Sequence, residues 1–419
     1  MPTRRRLGWV RDHAEVCVVL LALVTRLAYW ALITPRYVPR SDAQQYQEIA
    51  HNLATGRGFD MFFPQLALHP TAFRPPLYPA LLAIVDALTG SSLVAGRLLS
   101  VALGLGVVAL TMRFGRDVAS RRAGVIAGVV VALYPPLLAN DTVLLTEPLS
   151  LLIMLAMLLT LHRRRALLGA VLCGLLVLAR PSAQGVVVVV AAWVLWQTGW
   201  KRALSFVAVV GLVIAPWVVR NWIQLGSPVL VTSNGFNLAA MYSPAARAHG
   251  SFVDPVYDPS FDDLRLAQFD EVGWQSDLQR IALRSIRTHP SQVPKVLARN
   301  AAAIFELRPS FNRSAEAEDG RNLDFRTWTL PLFYAVTIVG VVGVAQRWRE
   351  PTVLLLVLVA GCFTVTSLLL VAPPRLRAPF DLMCAIGCGL AVDLWFDRRR
   401  RARELTSIRP APERTPADP

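Results

Sequence analysis

The stretch VCVVLLALVTRLAYWALITPRYVPRSDAQQYQEIAHNL, residues 16–53, places two signals side by side. Residues 16–34 form an apolar run of roughly membrane-spanning length, and 41–53 read as a short amphipathic helix led by Ser41 and Asp42. Ser41 precedes Gln44 by three residues, a capping-box spacing that predicts a helix starting at Asp42. Asp42, Tyr46, Ile49 and Leu53 recur at spacings of three and four, so the acid shares the face that packs toward the apolar segments. A first-turn acid serving the helix dipole is by itself a sufficient explanation of Asp42.

The same apolar character recurs along the chain. With 419 residues, 54% of them hydrophobic, and a mean hydropathy of +0.45, the composition excludes soluble domains and reads as an integral membrane protein. Spans are predicted at about 16–34, 93–112, 123–139, 143–161, 166–179, 184–198, 203–221, 328–346, 352–371 and 378–396, about ten transmembrane helices in an all-α polytopic fold. The segments at 166–179 and 184–198 are short, so one of them is expected to be tilted, broken or ended early. Basic clusters at 4–6, 113–122, 162–165, 201–202, 346–349 and 397–403 fall at every second boundary, which puts both termini in the cytoplasm (N-in/C-in). That distribution explains the formal net charge of +15 without nucleic acid. The start MPTRRR reads as the flank of a retained first helix, because the run after it is long and contains Arg26. Cys17, Cys173, Cys362, Cys384 and Cys388 all lie in apolar runs without metal or disulfide spacing, and read as packing residues.

Two loops on the predicted outer side are long, 35–92 and 222–327. The expected organisation is a membrane core over 1–221 that includes the first loop, an extracytoplasmic region at 222–327, C-terminal spans over 328–397, and a cytoplasmic basic tail at 398–419, disordered at its polar end. FRPPLYPALLAIVDAL at 73–88 is too short to span comfortably and is expected at the interface. In the second loop, Asn234, Gly235, Pro244 and Pro255 mark a turn-rich start, followed by helical periodicity over 262–287 and 291–306.

Charged residues gather at the predicted outer ends of spans. Arg74 precedes a double proline, Asp141 and Glu147 flank the start of a span in NDTVLLTEPL, Arg180 stands in LARPSA, Arg220 in PWVVRNW, and Arg375 and Arg377 in PPRLRAPF. Each has an ordinary explanation, as a snorkelling arginine or a locally paired acid. Together they ask for an anionic partner, because positive charge is disfavoured in short translocated loops. Guanidinium forks suit phosphate, so a phospholipid-type substrate fits. With its charge neutralised, a phosphate leaves without a paired general acid, and one carboxylate can deprotonate an attacking hydroxyl. The helix N-terminus favours an ionised, weakly basic Asp42, while desolvation opposes it. His51 and His69 lack the spacing of a metal motif, so a metal is optional. Phe62, Phe63, Trp217, Trp222, Trp328 and Tyr334 read as an interfacial aromatic belt, with sugar stacking as the minority alternative.

The first-loop acid, RPPLYP, TEPL at a span start, Arg-Pro after a short span, PWVVRNW leading to SNGFNL, HPSQVPKVL, and RLRAPF before the last span together resemble the GT-C glycosyltransferases. More narrowly, the chain resembles the bacterial relatives of protein O-mannosyltransferases and of the lipid A aminoarabinose transferase, over most of residues 20–395. The resemblance implies an inverting transferase of the bacterial inner membrane, its site facing the periplasm or cell exterior. The donor would be a polyprenyl-phosphate sugar and the acceptor an extracytoplasmic lipid or glycan. Asp42 would be the base, and Asp141 the second-loop acid that orients the acceptor or helps hold a divalent metal, Mg or Mn. Arg74, Arg180, Arg220 and Arg377 would contact the phosphate or headgroup, with Glu147, Tyr46 and Tyr78 in support. Many members carry a sizeable soluble domain at the carboxy end; the short basic tail here points away from a protein or large-glycan acceptor. The alternatives from other classes are a lipid or glycolipid transporter, for which no repeat of two halves is visible, and a scaffold for envelope assembly.

Overall fold

The structure, a computed structural model, describes residues 13–63, 67–264 and 270–407. The basic triplet at 4–6 and the polar end of the tail lie outside the described residues. From the amino end, α1 (Ala14–Leu32) leads into a first long loop. That loop carries α2 (Ser41–Ala54), the paired two-residue strands β1 (Asp60–Met61) and β2 (His69–Pro70), and α3 (Leu77–Thr89). Next come α4 (Leu93–Val118), α5 (Arg121–Leu133) and the short α6 (Pro135–Asn140). α7 (Glu147–His162), α8 (Ala166–Ala179), α9 (Gln184–Thr198) and α10 (Trp200–Leu225) run on to a second long loop. It contains α11 (Ser233–Tyr242), α12 (Pro244–His249), α13 (Glu271–Thr288), α14 (Gln292–Ile304) and α15 (Pro309–Glu318). α16 (Leu323–Gln346), α17 (Pro351–Leu369) and α18 (Ala378–Ser407) complete the bundle.

Among the described residues, seven helical stretches are long and apolar enough to cross a membrane. They coincide with seven of the ten predicted spans. The other three are shorter helices: α5 with 13 residues, α7 with 16 and α8 with 14. The span predicted over 123–139 is broken at Tyr134, which takes an extended conformation (ψ 113°) because Pro135 follows it and cannot continue the hydrogen-bond ladder. Residues 141–146 are then non-helical yet buried. Non-helical backbone inside an apolar bundle persists only where protein groups satisfy it. Here Arg97 Nε donates to the Thr142 carbonyl (2.8 Å), Ser100 Oγ donates to the Val143 carbonyl (2.9 Å), and the Leu144 N–H donates to the Tyr37 hydroxyl (3.3 Å).

Four of the basic clusters expected on one side, 113–122, 162–165, 346–349 and 397–403, are joined by ion pairs at one end of the bundle. There Glu15 pairs with Arg116 and Arg121, Asp117 pairs with Arg163, and Asp393 meets Ser120 and Arg347. The two long loops occupy the opposite end. Close helix packing holds the bundle between the ends. A Cβ on Gly343 of α16 would lie 1.9 Å from the Gly387 carbonyl oxygen of α18, so only glycine allows that approach.

The two long loops share a core of their own, in which Ile49, Phe59 and Phe73 of the first pack with Trp274, Leu278 and Val296 of the second. The buried Glu271 carboxylate stitches them together, accepting from Thr71 Oγ1 (2.7 Å), the Ala72 N–H (2.9 Å) and Thr232 Oγ1, and lying 2.9 Å from His69 Nε2. The turn expected at Asn234 and Gly235 is instead the start of α11. Gly235 serves a close approach there: its added Cβ would lie 2.0 Å from the Gln275 carbonyl of α13, and its N–H donates to Gln275 Oε1 (3.0 Å). Of the helical periodicity read over 262–287 and 291–306, the part from Glu271 on corresponds to α13 and α14; Pro259–Leu264 is a 3-10 turn, and 265–269 lie outside the described residues.

Candidate active site

α2 buries Tyr46, Ile49 and Ala50 and carries Asp42 on its first turn, on the side of the bundle. The capping box is not formed. Ser41 has φ +48°, in the left-handed region, and its hydroxyl makes no capping bond; the Arg40 carbonyl accepts from the Ala43 N–H instead (3.0 Å). A serine held in that region costs on the order of 1 kcal/mol, which places local strain directly before Asp42.

Both carboxylate oxygens of Asp42 are taken by arginines. Arg74 Nη2 donates to Oδ1 and Arg375 Nη2 to Oδ2. Arg74 also donates from Nε to Gln45 Oε1 (2.6 Å), and its guanidinium lies over the Tyr46 ring (5.6 Å) and the Phe73 ring (5.2 Å). Tyr46 in turn meets the fully buried Tyr78 edge-on, with centroids 5.3 Å apart. Burial alone would raise the Asp42 carboxyl, but the charges of Arg74 and Arg375 outweigh it and hold the group well below the usual carboxylate range.

Arg375 extends the cluster. Its Nη1 lies 3.8 Å from Glu147 Oε1 and its Nε 3.1 Å from Asp319 Oδ2. Arg180 Nη2 lies 3.6 Å from the same Glu147 oxygen, and Arg180 Nε donates to Ser182 Oγ (3.2 Å). Arg180 Nη1, Glu147 Oε2 and Arg375 Nε are buried and have no hydrogen-bond partner among the described residues. The structure therefore brings Asp42, Arg74, Glu147 and Arg180 together, with Tyr46 and Tyr78 beneath Arg74.

Three predicted residues sit elsewhere. Asp141 Oδ2 accepts from Arg26 Nε (2.9 Å) and Nη2 (2.6 Å), and the carboxyl presses on Gly104 of α4. Arg220 donates to the Thr71 carbonyl (2.7 Å) and the Phe59 carbonyl (3.0 Å), so it fastens the first loop to the end of α10. Arg377 pairs with Asp381 (3.1 Å) and Glu306 (2.8 Å) and lies 3.9 Å over Phe333. Its neighbour Arg375 takes the place expected for it, because two residues apart on the 3-10 turn Pro374–Arg377 point in different directions. Asp319 had no local signal.

Among the described residues no three His, Cys, Asp or Glu side chains converge on a metal position. Asp42 and Asp141 are each committed to different arginines, His51 bonds Ser91 (2.9 Å), and His69 bonds Glu271. These residues as arranged do not fit the expected divalent metal. Of the aromatic belt, Phe62, Trp222, Trp328 and Tyr334 are exposed. Trp217 and Phe63 are not part of it: Trp217 is buried and donates to the Leu230 carbonyl (2.8 Å), and Phe63 packs on Phe73 (5.0 Å). The five cysteines are free.

No protein-family model and no curated protein sequence matches the chain. Among solved structures it is similar to the oligosaccharyltransferase AglB from the archaeon Archaeoglobus fulgidus in complex with an inhibitory peptide and a dolichol-phosphate. The TM-score is 0.54 at 13% identity, over 97% of this chain and 53% of that one. The apo form of the Archaeoglobus fulgidus enzyme gives 0.53 at 15% identity, over 96% and 52%. ArnT from Cupriavidus metallidurans, bound to undecaprenyl phosphate, gives 0.41 at 15% identity over 97% and 81%, a likeness too low to argue from. The chain spans about half the length of the archaeal oligosaccharyltransferases it matches. At these identities the likeness shows the fold alone, a many-helix fold like that of the archaeal oligosaccharyltransferase, with seven helices among the described residues long and apolar enough to cross a membrane.

Proposed function

We propose that the protein is a membrane glycosyltransferase that moves a single sugar from a polyprenyl-phosphate donor to the hydroxyl of an extracytoplasmic lipid or cell-envelope glycan, with inversion. The observation that carries this reading is the convergence of Arg74, Arg180 and Arg375, from three separate segments, around Asp42 and Glu147 at the end that bears the long loops. Guanidinium forks match phosphate oxygens. The archaeal enzyme of the same architecture, seen with a dolichol-phosphate, lends support to a lipid phosphate as ligand. The site would face the periplasm or exterior of a bacterial inner membrane, in keeping with the basic turns at the opposite end.

In the proposed mechanism Arg74, Arg180 and Arg375 take the donor phosphate. Arg180 Nη1, buried without a partner, is a ready donor for one of its oxygens. As the phosphate draws Arg74 and Arg375 toward itself, Asp42 loses the charges that suppress its basicity. The Asp42 carboxylate then takes the acceptor hydroxyl proton while the acceptor oxygen attacks the anomeric carbon opposite the phosphate. The bond from that carbon to the bridging oxygen breaks, and its electron pair leaves with the polyprenyl phosphate. The arginines stabilise the charge that develops there, so no general acid is needed. Asp141 and Arg26 brace residues 141–146 and thereby place Glu147, which steadies Arg180 and Arg375.

The test uses the purified full chain in bacterial lipid vesicles with undecaprenyl phosphate carrying labelled mannose, galactose, arabinose or aminoarabinose. Release of undecaprenyl phosphate with label on a new lipid or glycan, of inverted anomeric configuration, supports the reading. Movement of the intact donor across the bilayer without cleavage supports a transporter and overturns it.

A further inference from the structure

The second long loop reaches the arginine cluster through the turn between α15 and α16. Asp319, the residue after α15, is buried there, with Oδ2 3.1 Å from Arg375 Nε. The same guanidinium meets Asp42 through Nη2 and Glu147 through Nη1 (3.8 Å). Arg375 thus hydrogen-bonds Asp42 and lies in ion-pair range of Glu147 and Asp319, its Nε making no hydrogen bond, and the three acids come from the first loop, the start of α7 and the second loop.

The turn is held both from outside and by the helices it joins. Gly320 has φ +70°, and a Cβ there would lie 2.8 Å from a ring carbon of Tyr37, so the turn sits flush on the first loop. Arg321 Nη1 donates to Glu316 Oε1 (3.0 Å) and Nη2 to Asn140 Oδ1 at the end of α6. Asn322 Oδ1 accepts from the Phe325 N–H (2.8 Å) and caps α16. An acid this well placed is in a position to orient the arginine it touches.

Resting on the proposed function, we propose that Asp319 is a positioning residue that holds Arg375 as an ion partner on its Nε side, keeping the Nη edge turned to Asp42 and the donor phosphate. A free arginine side chain samples many rotamers, and a fork misplaced by about 1 Å costs on the order of 100-fold in rate. The second long loop is by this account part of the catalytic centre. The charge of Asp319 works in the other direction: removing a negative charge beside Arg375 does not weaken the attraction of a phosphate. Anchoring and simple electrostatics therefore predict opposite results.

The experiment measures kcat and donor KM at about pH 8, above the value of about 7 to which burial lifts the Asp319 carboxyl, with whichever of the four undecaprenyl-phosphate sugars named above the wild-type chain turns over. Asp319→Asn is expected to lower kcat about 10- to 100-fold and to leave the donor KM within about threefold of wild type or below it. Asp319→Glu, which restores the charge on a longer arm, recovers at least about a third of wild-type kcat. Gly320→Ala, which shifts the turn without removing the acid, lowers kcat in the same way. In an Arg375→Lys background, which has no guanidinium fork to orient, Asp319→Asn has no further effect on kcat. The proposal is overturned if Asp319→Asn keeps kcat within about twofold of wild type, or if its loss multiplies with that of Arg375→Lys. Absence of turnover of all four donors by the wild type would overturn the transferase reading itself, and the anchoring with it.

Discussion

Arg26 is completely buried and gives two hydrogen bonds, 2.9 and 2.6 Å, to one oxygen of Asp141. Replacing Arg26 with Met leaves Asp141 inside the bundle without the side chain that neutralises it, a loss of about 3–5 kcal/mol by analogy with other broken buried pairs. The reverse change is gentler. In Asp141→Asn the guanidinium keeps the Ala22 carbonyl (3.2 Å) and the Ala132 carbonyl (3.4 Å), so the expected loss is about 1–3 kcal/mol. The double variant Arg26→Met/Asp141→Asn buries no charge and should be at least about 2 kcal/mol more stable than Arg26→Met alone. Equilibrium unfolding in mixed detergent micelles, followed by tryptophan fluorescence, reads these differences directly. Turnover of the double variant should track its folded fraction, because Asp141 acts through the segment it braces. Strictly additive losses would refute the pairing energetics. A well-folded Asp141→Asn slowed by about 100- to 10,000-fold, as befits a reacting acid or base, would refute the bracing role.

Other outcomes follow from the same geometry. Asp42→Asn should lower turnover about 100- to 10,000-fold in a chain that still elutes as a folded species by size exclusion, because it removes the proposed base. Arg180→Ala should raise the donor KM by about 10-fold or more, whereas Arg377→Ala should lower thermal stability, since Arg377 is committed to Glu306 and Asp381; scanning fluorimetry and donor titration separate the two. Burial, partly offset by Arg375 and Arg321, lifts the Asp319 carboxyl to about 7. A carboxyl raised in the folded state stabilises fully below its unfolded value near 3.8, and that contribution fades as pH rises through about 7. Melting temperature should therefore fall between about pH 5 and pH 8 by more in wild type than in Asp319→Asn; parallel curves would contradict it.

Much of this architecture is written in local pattern. Apolar runs and alternating basic turns locate the long spans, because membrane burial and charge retention act on each segment separately. Asp42, Arg74, Glu147 and Arg180 are legible for a related reason: each is a charge at a span or helix end where a charge is costly. What is not legible depends on contacts made at a distance. Gly235 has the look of a turn residue, and only the approach of α13 explains it as a helix residue. The choice between Arg375 and Arg377 rests on the register of a single 3-10 turn, which no periodicity in PPRLR fixes. Asp319 lies in EAEDGRN, an ordinary polar turn until the fold brings it to Arg375, and Arg26 has no visible partner until residues 141–146 fold back into the bundle. The break at Tyr134 was the more readable miss, since a double proline in a predicted span is a chemical reason to end it.

The most direct test of the central claim is a structure of the full chain with undecaprenyl phosphate. The account predicts the phosphate among Arg74, Arg180 and Arg375, with at least one of Arg74 and Arg375 drawn off Asp42. A phosphate bound only at the opposite end, among the basic turns near Arg116, Arg163 and Arg347, would contradict it.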